Sequence, residues 1–424
     1  MAQASHHHEI EPPGELVVPK WIYTTGIALI IVGLVAFAAG LFSNPERAWR
    51  GYVIGFWFAF SLGLSGPFFV ATQYLSRAGW SVSIRRIPES FGAFLYPAVI
   101  LGIIGLLGID YLFGWLNPDV FDPNSDVFDP IVLEKELVLH RTGIWLATLA
   151  STIVLAGLHF FMRKNSLAQD EDGDPQRTIT NTWLSAGFVI AFVLGVSFMS
   201  WYWLMTYDPH WYSTMLSVYA FAGLFQTGLA VMAILLIYML RHDTLGEAAG
   251  MQHLHDVGKL VFAFTVFNAY IAFSQFLLLW YAQIPETIKY YADRTAEGWG
   301  LFLLILPFVK FIIPFLLLLP QDSKKNKRNV LLYMCVLLIA AQLFELWIWV
   351  MPYWYGMGGL MAPMVPIFEL PIALGFVGLF VVVVAKALSS APLVPLKDPY
   401  LNESIPHSHD HLIYPNGKPG DSDS

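Results

Sequence analysis

The stretch "LFLLILPFVKFIIPFLLLLPQDSKKNKRNVLLYMCVLLIAAQLFELWIWV", residues 301–350, decides the fold. Two apolar runs of about 20 residues flank a short polar connection, and about 20 residues of helix cross the hydrocarbon of a bilayer. Lys324, Lys325, Lys327 and Arg328 crowd the connection. A lone Lys310 sits inside the first run, between Pro307 and Pro314, and Gln342 and Glu345 lie inside the second. The reading is therefore two antiparallel membrane helices with a cationic turn and ionisable groups in their interiors.

The rest of the chain repeats this pattern. Of 424 residues, 56% are hydrophobic and 13% charged, with a mean hydropathy of +0.58. Soluble domains carry about twice that share of charge. Ten apolar runs appear, near 21–42, 46–75, 87–108, 138–162, 178–205, 212–240, 252–281, 298–319, 329–351 and 366–388. An all-α polytopic membrane protein is expected, with a ten-helix domain over 21–388 and polar tails at 1–20 and 389–424. The tails are rich in Pro, His and Asp and are expected to pack little unless a partner orders them. The first residues, "MAQASHHHEIEPPGE", lack the basic start of a signal peptide, so the first helix is expected to be retained.

Cation placement assigns the sides. Arg77, Arg85 and Arg86, then Arg163, Lys164 and Arg177, share a side with the 324–328 cluster. The opposite connections hold no Lys or Arg at 206–211 and 352–365, and 109–137 carries Asp110, Asp119, Asp122, Asp126 and Asp129. By the positive-inside rule both termini are expected in the cytoplasm. Trp201, Trp203, Trp211, Trp280, Trp299, Trp347, Trp349 and Trp354 gather on the other side, as an interfacial belt or a docking surface for a partner.

The single Cys335 excludes an intrachain disulfide, a C-x-x-C-H haem attachment and a four-cysteine iron–sulfur cluster. A net charge of −8 with no basic face gives no nucleic-acid footprint. "HSHDH" at 407–411 reads as a solvated tail before a metal site. A b-type haem between His159 and His255 is weighed and disfavoured, since each lies near a span end.

The polar groups within the spans carry the functional reading, because charge in a membrane interior is costly. "HLHDVGKLVFAF", residues 253–264, opens the seventh span. At 100° per residue, Asp256, Tyr270 and Ser274 share a face, with Lys259 to the side and His255 at the mouth. This stripe rises about 27 Å and suits a proton-conducting seam, or Asp256 and Lys259 simply pair. Lys310 lies near mid-membrane, where Gln342 and Glu345 are the nearest candidate partners by depth, either as a structural pair or, with Lys310 deprotonatable, as part of a proton pathway. His140 and Arg141 open the fourth span, His159 lies near its far end, Gln226 lies mid-way in the sixth, Glu89 opens the third and Glu369 the tenth. "LHRTGIW" (139–145) and "LHDVGKL" (254–260) share Leu, His and Gly, which suggests an inverted repeat.

Three blocks carry a family resemblance: "NPERAWRGYVIGFWFAFSLGLSGPFFVATQYLSRAGWSVSIRRIPESF" (44–91), "WLMTYDPHWYSTMLSVYAFAG" (203–223) and "HDVGKLVFAFTVFNAYIAFSQFLLLWYAQIPE" (255–286). The chain resembles the NrfD/PsrC-like membrane subunits of alternative complex III, the bacterial quinol:cytochrome c oxidoreductase, and looks like ActF rather than ActC. The resemblance implies two four-helix bundles plus flanking helices in the bacterial cytoplasmic (inner) membrane. It implies an ActC-like membrane partner, where quinol oxidation is expected. It also implies multihaem cytochrome c and iron–sulfur subunits on the outer face, holding haem c and iron–sulfur clusters that this chain lacks. Menaquinone or another quinone near His140 follows by alignment with a quinone-pocket histidine. His255, Asp256, Lys259 and Ser274 are carried over as proton-pathway candidates. Tyr202 departs from the pattern, which leads one to expect an acid there. A stand-alone secondary transporter and a purely architectural anchor are the alternatives.

Overall fold

The computed structural model describes residues 16–405 except 326, 355–358 and 361. Among the described residues, ten helices are long and apolar enough to cross a membrane: α1 (Lys20–Ser43), α2 (Pro45–Ser76), α3 (Arg86–Leu106), α4 (Arg141–Asp172), α5 (Gln176–Met205), α6 (Met215–Arg241), α7 (Met251–Ala282), α8 (Trp299–Leu318), α9 (Arg328–Val350) and α10 (Glu369–Ser389). The protein is an all-α, multi-pass membrane protein. With an even number of crossings, the described ends of the chain share one end of the molecule, here the tail end; the other is the aromatic end.

Local chemistry sets the boundaries. Asn44 separates α1 from α2; its side chain accepts from the Arg47 amide at 3.1 Å and Pro45 opens the next turn. Arg77, at φ 51°, and Gly173, at φ 69°, close α2 and α4 in left-handed caps. Within α8, Pro307 and Pro314 bracket a π turn over Phe308–Ile312, where missing amide protons loosen the ladder.

Packing follows chain order. α2 packs on α3 and α5, α3 on α4, and α4 on α5; α6 packs on α7 and α9, with α8 against both. These are two four-helix bundles, joined through α2 and α6. α10 lies on α2, and α1 on α10. α2 is buried along nearly its whole length, whereas α1 buries only Gly26, Gly33 and Gly40. Arg47 joins α2 to α10 through a buried ion pair with Glu369 at 2.7 Å.

The C-terminal segment departs from expectation. Residues 390–405 pack across the tail end, with Leu393, Val394 and Leu401 buried. Asp398 pairs with Arg85 at 2.8 Å, both buried, and burial is outweighed so that the guanidinium is held above its ordinary pKa. The Ser404 hydroxyl donates to the Trp80 carbonyl at 2.7 Å, accepts from the Ser83 amide at 3.2 Å and meets His253 Nε2 at 3.1 Å. A Pro-rich segment packs here because it brings apolar anchors and the carboxylate that a buried arginine requires. The 407–411 stretch lies outside the described residues. Asp398→Ala is expected to cost about 3–5 kcal/mol, since it leaves Arg85 buried without its carboxylate. Thermal unfolding in mild detergent, with proteolysis of the released C-terminus, checks it.

Candidate functional site: a buried ion pair and polar belt in the second bundle

The π turn of α8 carries Lys310 to the bundle interior, where it is 4% exposed. Its ammonium donates to Gln342 Oε1 at 2.9 Å and forms an ion pair with Glu345, both on α9. Glu345 is fully buried, and its other oxygen accepts from the Tyr219 hydroxyl of α6. The ammonium stands 5.8 Å from the Tyr219 ring centroid. Gly223 permits this assembly: a Cβ there would lie 2.5 Å from Gln342 Oε1.

The belt continues along α6 and α7. The Gln226 amide donates to Thr265 Oγ1 at 3.1 Å. Asn268 and Gln275 extend the same face of α7, and both are buried. Gln226 Oε1, Asn268 Nδ2 and Gln275 Oε1 are buried and have no partner among the described residues. Buried polar atoms almost always have partners, often ordered water. The arrangement is a neutral acid–base pair with a phenol at one side and amides beyond it. Moving a proton from Lys310 to Glu345 leaves the net charge unchanged, so the pair can exist as an ion pair or as a neutral amine and carboxylic acid.

Towards the aromatic end, the Tyr219 ring meets Trp349 at 4.9 Å, and Trp211 stacks on Tyr290 at 3.9 Å. Arg294 lies 3.5 Å from the Tyr290 centroid and donates to the Trp349 carbonyl at 3.1 Å. Burial pushes the Tyr290 phenol above its ordinary pKa. Asp208 is buried beside this layer; one oxygen accepts from the His210 amide at 3.2 Å, and Oδ2 has no partner among the described residues. The chain thus covers Trp211 and Trp349 itself, at 3% and 5% exposure. These two are therefore not presented on the docking surface that the sequence suggested. Trp201 is half-buried and Trp280 exposed, and the Trp354 side chain lies outside the described ones.

The seventh-span stripe is also corrected. Tyr270 is 63% exposed and faces away from the bundle. Ser274 is half-buried and donates to Ile271 of its own helix at 3.0 Å. Asp256 and Lys259 pair at 2.6 Å at the tail-end mouth, with the lysine side chain 54% exposed. His255 is buried beside them. The inward face carries Gly258, Val261, Thr265, Asn268 and Gln275 instead. Gly258 lets α7 approach Lys324 and Leu331: a Cβ there would stand 3.1 Å from Lys324 Cβ and 3.5 Å from a Leu331 methyl. Charge marks the wrong face because Lys259 reaches water by its flexible stem, while uncharged amides tolerate burial when bonded. The spacing of Thr265, Asn268 and Gln275 (i, i+3, i+10) is the signal in the sequence.

His140 and Arg141 stand apart from the belt. His140 is exposed and caps α4 by accepting from the Gly143 amide at 2.9 Å. Arg141 pairs with Asp110 in solvent, at 3.1 Å for one of its two bonds. His255 lies within α7 and does not cap it, so the two Leu-His segments have different structural roles.

The first bundle holds a second charged cluster near the tail end. Arg86 pairs with Glu89 at 2.8 Å and with Asp170, and also donates to Ser166 Oγ at 3.0 Å. His159 meets the Glu89 carbonyl through Nε2 at 3.0 Å and the Tyr96 hydroxyl through Nδ1 at 3.1 Å. With both ring nitrogens engaged, His159 is not presented as a haem ligand. Glu89 acts as an ion-pair partner here as well as a first-turn acid.

In the comparisons with known proteins, no family model and no curated protein matches the chain.

Proposed function

We propose that this chain is the membrane subunit of a redox-driven, proton-moving complex of the quinol:cytochrome c oxidoreductase type. It would sit in a bacterial inner membrane with both termini cytoplasmic and carry no redox centre of its own. The observation that carries this reading is the Lys310–Glu345 pair with Tyr219 and Gln342, buried within the spans and continued by the Gln226–Thr265–Asn268–Gln275 belt. An ionisable group inside a membrane is by default a candidate for an ion or proton pathway. The resemblance of the three sequence blocks to ActF-like subunits supports the electron-transfer setting, an ActC-like neighbour, and cytochrome and iron–sulfur partners on the aromatic end. Asp256, Lys259 and His255 are the entry candidates at the tail end.

The test is purification from the native membrane in mild detergent by a tag on this chain. A c-type haem spectrum and quinol:cytochrome c reductase activity in the purified material are expected. A colourless single chain, obtained under detergent conditions that preserve other membrane complexes, sinks the proposal. A second reading, secondary transport, is favoured by one observation: Lys310 lies in a proline-flanked break of α8, and broken helices build transporter sites. Solute uptake by vesicles containing only this chain would select it.

A further inference from the structure

On the tail-end half of α4, Ile153, Gly157, Phe160 and Lys164 recur at i, i+4, i+7 and i+11, so they form one stripe of the helix. Ile153, Phe160 and Lys164 are exposed, and a Cβ at Gly157 would meet no heavy atom within 4 Å. The stripe therefore faces outward with an open notch in its middle. Tyr96 of α3 edges it, its ring centroid 6.4 Å from that of Phe160. Arg163 and Lys164 are the first charges past the apolar run, and at i+3 and i+4 from Phe160 they flank the same ring.

Arg163 is anchored through Nη2, which donates to the Ala387 carbonyl of α10 at 2.8 Å. That bond sets the last turn of α10, with its exposed Lys386, at the same level. None of the three cations has a carboxylate partner among the described residues, whereas Arg85, Arg86 and Arg177 at the same end are each ion-paired. The buried Glu89 nearby is already held by Arg86 at 2.8 Å. Three uncompensated positive charges thus stand where the apolar run ends, and an apolar stripe leads from them into the membrane.

We propose that Arg163, Lys164 and Lys386 hold the phosphate of an anionic phospholipid, with one acyl chain lying along Ile153, Gly157 and Phe160. Basic residues between helices at a membrane edge are how anionic head groups are recognised. A zwitterionic lipid carries its own ammonium beside the phosphate, which opposes the three side chains. A guanidinium already fixed by one carbonyl keeps Nε and Nη1 for a phosphate and needs little further ordering. The inference is independent of any proton movement through Lys310.

The experiment uses the full chain with whatever partners accompany it, stripped of lipid in excess detergent and offered equal phosphatidylglycerol and phosphatidylcholine. Native mass spectrometry counts the lipids retained, and a preference for phosphatidylglycerol is expected. Lys164→Gln and Lys386→Gln, both at exposed positions, are each expected to lower that preference about fivefold, and together about 25-fold. Gly157→Phe fills the notch and is expected to reduce phosphatidylglycerol retention without touching a charge. Lys327→Gln, an exposed tail-end cation at the start of α9, should keep the parent preference. Equal retention of the two lipids by the parent overturns the proposal, as does a parent-like preference in the double variant, unchanged retention in Gly157→Phe or an equal loss in Lys327→Gln. Displacement of the lipid by inorganic phosphate also overturns it, since the side chains would then read the anion alone.

Discussion

Glu345→Ala is expected to destabilise the protein by about 3–5 kcal/mol, because it strands the Lys310 ammonium in the bundle interior. The geometry leaves Lys310 few alternatives: it is 4% exposed, lies inside the α8 break, and keeps only the Gln342 oxygen at 2.9 Å. The Tyr219 hydroxyl loses its acceptor at the same time. Lys310→Met should cost a similar amount by stranding the carboxylate. The double variant, Lys310→Met with Glu345→Leu, is expected to recover most of the loss, since a buried ion pair replaced by apolar groups of similar volume is often neutral. Thermal unfolding of the three variants in one detergent measures this. A single variant within about 0.5 kcal/mol of the parent would mean that Lys310 reaches water. The double variant also separates function from architecture. If the pair moves protons, the double variant assembles but transfers fewer protons per electron in reconstituted vesicles. If it only holds α8 to α9, proton stoichiometry stays at the parent value.

Gly33→Leu is expected to detach α1 from the rest of the protein. α1 buries only its glycine face, and a Cβ at Gly33 would lie 2.6 Å from the Gly375 Cα and 3.2 Å from the Pro371 carbonyl. The obstacle is backbone, which cannot rotate aside as a side chain can. The reverse holds on α10, where a Cβ at Gly375 would stand 2.8 Å from the Gly33 Cα. Close backbone approach through small residues is how helices associate in lipid, where no hydrophobic force joins them. Gly33→Ala should cost about 1–3 kcal/mol by overpacking, and leucine more. With a protease site placed in the connection at Asn44, the cut parent should keep its N-terminal fragment during purification, and Gly33→Leu should lose it. Retention of the fragment by the leucine variant would show that other contacts hold α1.

Much of the architecture was legible because hydropathy is a local property. All ten spans lie within a few residues of their expected limits, apart from α4, which extends to Asp172, about ten residues past the apolar run. It runs on because Gln169, Asp170 and Ser166 find buried polar partners at the tail end. The partners of Lys310 were legible as well, since depth along two antiparallel helices follows from counting residues. Tyr219 is not legible as part of the site, because a tyrosine near a span end reads as an ordinary interfacial residue.

What the sequence alone determined is the membrane class, the number and placement of the spans, and the depth that made Gln342 and Glu345 candidate partners of Lys310. Each depends on runs of about 20 residues or on rise per residue. Only the tertiary structure decided which face of α7 turns inward, that the segment 390–405 packs, and that Trp211 and Trp349 are covered by the chain itself. Those outcomes rest on non-local fit: Gly223 making room for Gln342, Gly258 admitting residue 324, and Arg85 requiring Asp398 from more than 300 positions away. Local periodicity carries no information about shape complementarity between distant segments.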